Sequence, residues 1–303
     1  MSKLTRLAET LRKEDVGRIR VNEPMSKHTT IRIGGPADLL IEPKNTKSLR
    51  KIMKAIYEHD VKWRAIGRGS NLLVSDKGID GVVIKLGKGM DDLELNGTEL
   101  RVAGGHSLIK LVAFISKEGL SGFEFAGGIP GSVGGAVYMN AGAHGSEISD
   151  ILTKALVLFK DGRLEWLTNE EMEFSYRTSI LQQRSGIVVV AIFDLKKGNK
   201  DSIIAEMNKN KDYRSDTQPW KEPCCGSVFR NPLPNHAGKL VEQSGLKGHQ
   251  IGGAQISNMH GNFIVNVGGA KADDVLALIN LVKKTVKNRY DIDLQTEVEI
   301  VYE

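Results

Sequence analysis

The sequence predicts an α+β protein of two or three domains. Its 303 residues exceed the size at which a single hydrophobic core usually stops growing, so about 100 residues fall to each domain. Strand-like apolar runs and amphipathic helical segments alternate along the whole chain. The 33 glycines lie well above the average usage of about 7%. Many positions therefore require a backbone that carries no side chain.

The first part of the chain predicts a helix and then a β-α-β unit. Leu4, Leu7 and Leu11 recur at helical spacing among charged residues, without the apolar segment of a signal peptide. The strand-like run at 38–43 is followed by a segment with apolar residues on one helical face, and then by a second run at 61–67. This order is typical of two strands joined by a helix.

The middle of the chain predicts more strands, one helix and a hairpin. Strand-like runs at 81–86 and 99–105 precede a segment whose apolar residues, from Leu108 to Ile115, lie on one helical face. After a glycine-rich passage, two apolar runs are joined at Asp161-Gly162, which is a typical hairpin turn. A further strand follows in the run that begins at Gly186.

The last part begins near residue 209, within a polar, helix-like stretch at 199–214 that ends in "DTQPWKEP" and resembles a linker. It predicts a short helix at 237–244, two strands, and a long helix with Val275 and Val286 on its apolar side. A closing strand is predicted for "LQTEVEIVY", residues 294–302. Its alternation would place Glu297 and Glu299 on one face.

Charge, hydropathy and cysteine content favour a cytoplasmic protein that attracts small anions. The net charge of +5 is spread along the chain and aromatic residues make up 6%, which argues against a nucleic-acid-binding module. The longest apolar run has seven residues, whereas about 20 are needed to cross a bilayer. Cys224 and Cys225 are sequence neighbours, so a disulfide framework is excluded and a reducing compartment is expected. Two buried thiols without function are the simplest interpretation of this pair.

Two glycine-rich loops are candidate binding segments. The first begins as Gly67-Arg68-Gly69, but Leu72 occupies the position of the third glycine of a dinucleotide fingerprint, and a turn-rich segment replaces its helix. Its backbone amides can form an anion nest, and an ordinary tight turn is an equal alternative. The second loop, at 127–145, holds seven glycines in nineteen residues. It indicates either an extended ligand or a flexible surface loop.

Eight motifs occur in an order that resembles the UDP-N-acetylenolpyruvoylglucosamine reductase family of bacterial cell-wall synthesis. They are "TTIRIGGPADL", "GRGSNLLVSD", "GFEFAGGIPGSVGGAVYMNAGA", "FSYRTSIL", "CCGSVFRNP", "AGKLVEQSGLKG", "GGAQIS" and "EVEI". The loop motifs alone are typical of flavin domains of the vanillyl-alcohol-oxidase type, and the C-terminal motifs make the resemblance specific. The short loop around "SYRTS" resembles the subtype common in Gram-positive bacteria.

The resemblance implies an α+β fold with a two-part FAD-binding region of the vanillyl-alcohol-oxidase type, followed by an α+β substrate-binding domain. The corresponding ranges are 1–86, 87–208 and 209–303. The implied cofactor is non-covalent FAD, with NADPH as co-substrate, in a monomer with no membrane insertion. The residues implied to contact FAD are Gly67, Arg68, Gly69, Ser70, Asn71, Leu72, Gly128, Ile129, Pro130, Gly131, Ser132, Gly134, Gly135, Asn140 and Gly142.

By the same resemblance, hydride passes from NADPH to FAD N5 and then to the methylene carbon of the enolpyruvyl ether of the UDP-sugar. Arg177 matches the family arginine that binds the substrate carboxylate, although without the motif a surface ion pair would be the simpler interpretation. Ser227 matches the serine that protonates the adjacent carbon. Glu297 matches a glutamate beside the carboxylate, with a pKa expected to be raised. Glu299 is expected to be a solvated strand residue.

The resemblance also implies further contacts with the substrate, and at several positions this sequence differs from the family pattern. Arg68, His144 and Asn258-Met259 differ from the family pattern, and His260 is expected to be a packed or surface histidine. No spacing of ligands predicts a metal site. A flavin oxidase with another substrate remains an alternative, in which the catalytic residues would not converge. The residues implied to contact substrate are Tyr176, Arg177, Arg214, Arg230, Asn231 and Glu297, with a solvated side chain as the alternative for Arg214.

Overall fold

The computed structural model describes residues 3–302, which form two compact units. The first unit contains the residues up to Val21 together with Leu39–Arg68 and Gly81–Asp212. The second contains Asn22–Asp38, Gly69–Asp80 and the residues from Tyr213 onward. The first glycine loop therefore contributes residues to both units. The three ranges drawn from the sequence, 1–86, 87–208 and 209–303, remain a prediction.

Seven α-helices occur within residues 3–302. The predicted N-terminal helix, the helix of the β-α-β unit and the long C-terminal helix are all confirmed. The helices are α1 (Lys3–Lys13), α2 (Thr46–Glu58), α3 (Leu108–Lys117), α4 (Val133–Tyr138), α5 (Lys200–Thr217), α6 (Ala237–Gln243) and α7 (Ala272–Tyr290).

Strands are numerous and mostly short. Several of those predicted from alternation or apolar runs are confirmed. In chain order they are β1 (Gly17–Pro24), β2 (Pro36–Pro43), β3 (Trp63–Ile66), β4 (Leu72–Val74), β5 (Ile79–Lys85), β6 (Leu93–Asn96), β7 (Glu99–Ala103), β8 (Leu120–Ser121), β9 (Gly142–Ala143), β10 (Ser146–Glu147), β11 (Leu152–Phe159), β12 (Leu164–Thr168), β13 (Gly186–Asp194), β14 (Lys196–Lys197), β15 (Cys224–Ser227), β16 (Gln250–Ile251), β17 (Ala254–Ile256), β18 (Phe263–Asn266) and β19 (Glu299–Val301).

A four-stranded sheet in the order β1-β2-β5-β3 contains the predicted β-α-β unit. β3 pairs in parallel with β5, so β5 separates the two strands that α2 connects. Asn45 caps α2, because its side chain accepts a hydrogen bond from Ser48 N at 2.9 Å. The apolar face of α2, including Leu49 and Ile52, is buried in the hydrophobic core of this part.

A five-stranded antiparallel sheet in the order β12-β11-β13-β7-β6 forms the rest of the first unit's framework. β13 is almost entirely buried at the centre of this sheet, which explains its unbroken apolar run. The predicted hairpin joins β11 to β12, and Gly162 N donates to Phe159 O at 2.9 Å in its turn. A second hydrophobic core packs against this sheet and includes Phe123 and Phe193, whose rings meet edge to face.

The second unit has an antiparallel sheet in the order β15-β18-β17-β16, with α7 packed on β16 and β17. The buried residues of α7, among them Val275, Leu278 and Val286, belong to its hydrophobic core. The expectation of one strand over 294–302 was wrong. Only Glu299–Val301 forms a strand, parallel to β4, and the residues before it pair with a different segment.

The polar stretch predicted to be helix-like at 199–214 is α5, which continues to Thr217. Its buried side chains are few, in agreement with its polar composition. Among residues 3–302, no helix is both long enough and apolar enough to cross a membrane.

Candidate active site

The two glycine-rich loops approach each other closely in the first unit. A Cβ atom at Gly67 would lie 2.2 Å from Ser132 Oγ and 3.2 Å from Ser132 Cβ. Ser132 is buried, and its hydroxyl accepts a hydrogen bond from Gly135 N at 3.3 Å, which caps α4. The missing side chain of Gly67 therefore makes room for Ser132. This packing within the protein is a second reason for glycine here, besides the access for a ligand expected from the sequence.

The second loop ends at a buried polar cluster around Asn140. This residue has no exposed surface, and its amide Nδ2 donates to Glu147 Oε1 at 2.8 Å and to Ser175 O at 3.2 Å. Asn140 Oδ1 accepts from Ser149 N at 3.0 Å, so every polar atom of the amide has a protein partner. Asn140 thus connects the glycine-rich loop to the segment that carries Arg177.

Arg177 lies at the tip of a tight turn between Ser175 and Thr178. The backbone groups of those two residues exchange hydrogen bonds of 3.1 and 2.9 Å. Arg177 has φ = +58°, a conformation that non-glycine residues adopt rarely. Its carbonyl accepts from Gln182 Nε2 at 3.0 Å, and its Nη2 donates to Gly142 O at 2.6 Å. The turn is therefore fixed at both its backbone and its side chain.

The conformation of Arg177 is itself informative. A non-glycine residue at positive φ costs about 1–3 kcal/mol, and such positions are concentrated at functional sites, where the surrounding structure maintains them. The guanidinium lies 4.9 Å from the ring centroid of Tyr176, a partly exposed residue. An arginine in a simple surface ion pair would require none of these constraints.

In the second unit, the remainder of the first loop is bonded to two distant segments. Thr30 N donates to Gly69 O at 3.1 Å, and the Thr30 hydroxyl donates to Cys224 O at 2.6 Å. Asn71 Nδ2 donates to Glu297 O at 3.0 Å, while Asn71 O accepts from Glu299 N at 3.0 Å. The predicted cofactor loop is thus directly bonded to Glu297 and to the residue two positions after it.

Ser227 ends strand β15, which contains a β-bulge. Cys224 pairs with Val265 and Ser227 pairs with Phe263, so three steps on β15 oppose two steps on β18. Gly226 lies in the bulge with φ = +75°, a conformation that glycine adopts without a steric penalty. Because a bulge changes the direction in which the following side chain points, the bulge at Gly226 affects the orientation of Ser227.

Glu297 lies on the segment adjacent to Ser227. Its backbone N–H donates to Val228 O at 2.8 Å, and Arg230 N donates to Gln295 O at 2.9 Å. The isolated bridge between Phe229 and Thr296 completes this short antiparallel pairing. Direct hydrogen bonds therefore join Val228, the residue after Ser227, to Glu297, and Glu297 to the loop residue Asn71, although more than 200 residues separate the loop from Glu297.

The other predicted site residues differ in their surroundings. Arg68 is exposed, whereas Leu72 is buried in β4, which pairs with β19. Arg214 and Arg230 are half-buried. Asn231 Oδ1 accepts from Ala237 N at 3.0 Å at the start of α6, so this oxygen has a structural role. Of the remaining predicted cofactor contacts, Gly128 and Gly134 are buried, Ile129, Gly131 and Ser70 are half-buried, and Pro130 and Gly135 are exposed.

The thiols and His260 have features of packed groups. Burial raises the pKa of Cys225 to about 12 and also raises the pKa of Cys224, so neither thiol is activated as a nucleophile. The ring of His260 packs edge to face on Phe263, and burial lowers its pKa. Within residues 3–302, no group of three His, Cys, Asp or Glu side chains is arranged to hold a metal ion.

Comparison with known proteins identifies the family. Residues 218–301 match the family model described as UDP-N-acetylenolpyruvoylglucosamine reductase, C-terminal domain, and residues 37–168 match an FAD binding domain. A UDP-N-acetylenolpyruvoylglucosamine reductase of Anoxybacillus flavithermus is 64% identical over 299 residues, which are 98% of this chain and 99% of the relative. The chain belongs to the UDP-N-acetylenolpyruvoylglucosamine reductase family.

Other members of the reductase family support the fold as well. The Bacillus subtilis reductase is 60% identical and covers 98% of this chain and 99% of its own. The crystal structure of the reductase from Thermus caldophilus is 36% identical with a TM-score of 0.81, covering 94% of this chain and 98% of that one. Wild-type Phl p 4.0202, a glucose dehydrogenase, is only 15% identical with a TM-score of 0.50, over 64% of this chain and 44% of that one, and shares the fold alone.

Membership of the reductase family establishes an FAD-dependent oxidoreductase of peptidoglycan precursor synthesis. The predicted fold class, with its FAD-binding region of the vanillyl-alcohol-oxidase type, is confirmed. Two side chains were not predicted from the sequence: Thr30, which bonds to the Ser227 strand, and Asn262, which bonds to Phe229 just after it. Their motifs, "TTIRIGG" and "NFIVNV", could be read as a loop and a strand, but neither pattern indicates which segment it binds.

Proposed function

We propose that this reductase converts UDP-N-acetylglucosamine enolpyruvate into UDP-N-acetylmuramate, with NADPH as the reductant and FAD held without a covalent bond. The observation that supports this most directly lies in the second unit. There, hydrogen bonds join the predicted cofactor loop to the backbone of Glu297, and Glu297 to the residue that follows Ser227. These hydrogen bonds support a site in which Ser227 is the proton donor and Glu297 supplies the carboxyl group.

The residues of this chain fit FAD. In the first unit the two predicted loops are adjacent, because Ser132 occupies the space where a side chain at Gly67 would lie. The glycine residues let a ligand approach the backbone closely, as in loops that bind phosphate. Residues 67–72 and 128–142 would hold the cofactor. When bound, FAD supplies a two-electron carrier between NADPH and the sugar.

In the addition to the enolpyruvyl double bond, Ser227 is assigned the proton transfer and Glu297 the stabilisation of the charge that hydride addition creates. Hydride addition to the methylene carbon moves an electron pair towards the neighbouring carboxylate, which gains negative charge. Glu297 stabilises that charge by a hydrogen bond, for which its carboxyl must be protonated. The Ser227 hydroxyl donates its proton to the adjacent carbon and regains one from water or a neighbouring hydroxyl. The double bond is thereby reduced with one hydride and one proton.

Arg177 is assigned the substrate carboxylate on the strength of the family motif and of its constrained turn. A planar guanidinium can contact two carboxylate oxygens at once, which a lysine cannot reproduce. The hydrogen bond from Arg177 Nη2 to Gly142 O holds the guanidinium against the second loop. Tyr176, Arg214, Arg230 and Asn231 are assigned further contacts with the UDP-sugar by the same motifs.

The proposal is tested by separating the two half-reactions. The purified protein should be yellow and release FAD on denaturation. The variants Ser227→Ala and Glu297→Gln should retain flavin reduction by NADPH, measured by stopped-flow absorbance, yet lose reoxidation of the flavin by the enolpyruvyl UDP-sugar. Glu299→Gln, two residues away, is the matched control and should keep both rates. Equal loss of both half-reactions in Ser227→Ala and Glu297→Gln would refute the assigned roles.

A further inference from the structure

A buried asparagine holds the segment that follows Ser227. Asn262 is only 4% exposed, and the oxygen and the nitrogen of its side-chain amide both bond to a single residue of that segment. Asn262 Oδ1 accepts from Phe229 N at 2.9 Å, and Asn262 Nδ2 donates to Phe229 O at 2.8 Å. Its main-chain carbonyl accepts from Val228 N at 2.9 Å. Three hydrogen bonds thus join one residue to two consecutive residues after the serine.

The side chain of Asn262 extends the sheet beyond the end of its strand. β18 begins at Phe263, which pairs with Ser227, so β18 has no strand residue opposite Phe229 on this edge. An asparagine amide has the same donor and acceptor as a peptide group, and here it satisfies both backbone groups of Phe229. Without Asn262, the N–H and C=O groups of Phe229 would lose these hydrogen bonds while buried, because Phe229 is 2% exposed.

On its other edge, the segment 228–230 is hydrogen-bonded to residues 295–297, which include Glu297. Val228 O accepts from Glu297 N, and Arg230 N donates to Gln295 O. Residues 228–230 are therefore held between Asn262 on one edge and residues 295–297 on the other. A shift of this segment would change the position of Ser227 relative to Glu297. Ser227 directly precedes Val228, and Glu297 donates its own N–H to Val228 O.

We infer that Asn262 is a positioning residue for the proton transfer by Ser227. It acts through the backbone of Val228 and Phe229 and fixes the serine hydroxyl relative to Glu297, without taking part in the chemistry. This inference rests on the proposed function, since it assumes that Ser227 is the proton donor. A displacement of about 1 Å at a reacting group can lower a rate by about 100-fold.

The test compares Asn262→Leu with a matched buried asparagine elsewhere. Leucine is close to asparagine in size but makes neither bond to Phe229. Asn210 is 5% exposed, and its Nδ2 donates to Glu124 O at 3.0 Å in the first unit, so Asn210→Leu controls for the loss of a buried hydrogen bond. Thermal unfolding, FAD content and both half-reactions are measured on each holoenzyme. If the leucine variant does not fold, Asn262→Asp is measured in its place, because it keeps only the acceptor for Phe229 N.

For Asn262→Leu we expect reoxidation of the flavin by the enolpyruvyl UDP-sugar to fall about 10- to 100-fold. Flavin reduction by NADPH should stay within twofold of the wild type, and the KM for the sugar within threefold. Asn210→Leu should show reduced thermal stability with both rates retained. A folded Asn262 variant that reoxidises at the wild-type rate, or that loses both half-reactions alike, would overturn the inference.

Ser227→Ala, measured in parallel, separates this inference from the proposed function. If Ser227→Ala loses reoxidation while Asn262→Leu keeps it, only the role of Asn262 is refuted. If Ser227→Ala itself keeps reoxidation, the assignment of the proton donor fails, and the role of Asn262 fails with it.

Discussion

Replacing Gly67 with alanine tests the packing between the two glycine loops. The new Cβ would lie 2.2 Å from Ser132 Oγ and 3.2 Å from Ser132 Cβ, whereas its next neighbour, Ser132 N, is 3.9 Å away. Ordinary contacts between such atoms begin at about 3.5 Å. All of the steric conflict therefore comes from the side chain of one residue.

The size of the effect follows from the two ways in which the structure can respond. If the Ser132 hydroxyl rotates away, it loses the bond from Gly135 N that caps α4, at a cost of about 0.5–2 kcal/mol. If the loops separate instead, the overpacking costs about 1–3 kcal/mol. Because the structure takes the less costly response, Gly67→Ala should lower stability by about 0.5–2 kcal/mol, which corresponds to about 1–8 °C in Tm for a unit of this size.

A double-mutant cycle makes this prediction specific. Ser132→Gly removes both clashing atoms, and glycine at a helix N-cap costs only a few tenths of a kcal/mol relative to serine. The double variant Gly67→Ala/Ser132→Gly should thus regain most of the lost stability, with a coupling energy of about 0.5–2 kcal/mol. Thermal unfolding followed by circular dichroism, together with the FAD absorbance of each purified variant, measures the cycle.

Additive losses of stability in the two single variants would contradict the proposed clash between residues 67 and 132. If the double variant were as unstable as the sum of the two single variants, the cost of alanine at residue 67 would not arise from Ser132. If Gly67→Ala were as stable as the wild type and bound FAD equally well, the close approach of the loops would be wrong.

Two further predictions concern the second unit. Cys225, with a pKa of about 12 and no exposed surface, should resist iodoacetamide at pH 8 in the native protein. Because its thiolate is depleted about 1000-fold relative to a pKa of 9.0, alkylation should become fast only on unfolding or as the pH approaches 12; rapid native labelling in a mass spectrum would contradict this. Thr30→Val, which removes the bond to Cys224 O, should lower stability in urea by about 1–2 kcal/mol, whereas Thr30→Ser should retain most of it. Equal losses in the valine and serine variants would show that the hydroxyl is not responsible.

Elements that depend on local pattern could be predicted from the sequence. α2 follows from its apolar face, and the hairpin between β11 and β12 follows from Asp161-Gly162. The closing strand was overestimated, since the alternation from 294 to 302 is continuous but the pairing is not. Residues 295–297 bond to 228–230, and Glu299–Val301 bond to β4, so the chain changes partners between them.

The same distinction applies to the candidate site. The residue types of Arg177, Ser227 and Glu297 were available from the family motifs, whereas the positive φ of Arg177 and the bulge before Ser227 were not. A bulge depends on the register of β15 against β18, and periodicity within one strand carries no information about that register.

The sequence by itself determined the order of most helices and strands, the glycine-rich loops and the family, because these depend on residue type and local spacing. Only the tertiary structure decided that Thr30 binds the strand of Ser227, that Asn71 binds the backbone of Glu297, and that Asn262 completes the pairing of Phe229. Each of these hydrogen bonds joins residues at least 33 positions apart. Their geometry is fixed by strand register and packing, which no local pattern of residues encodes.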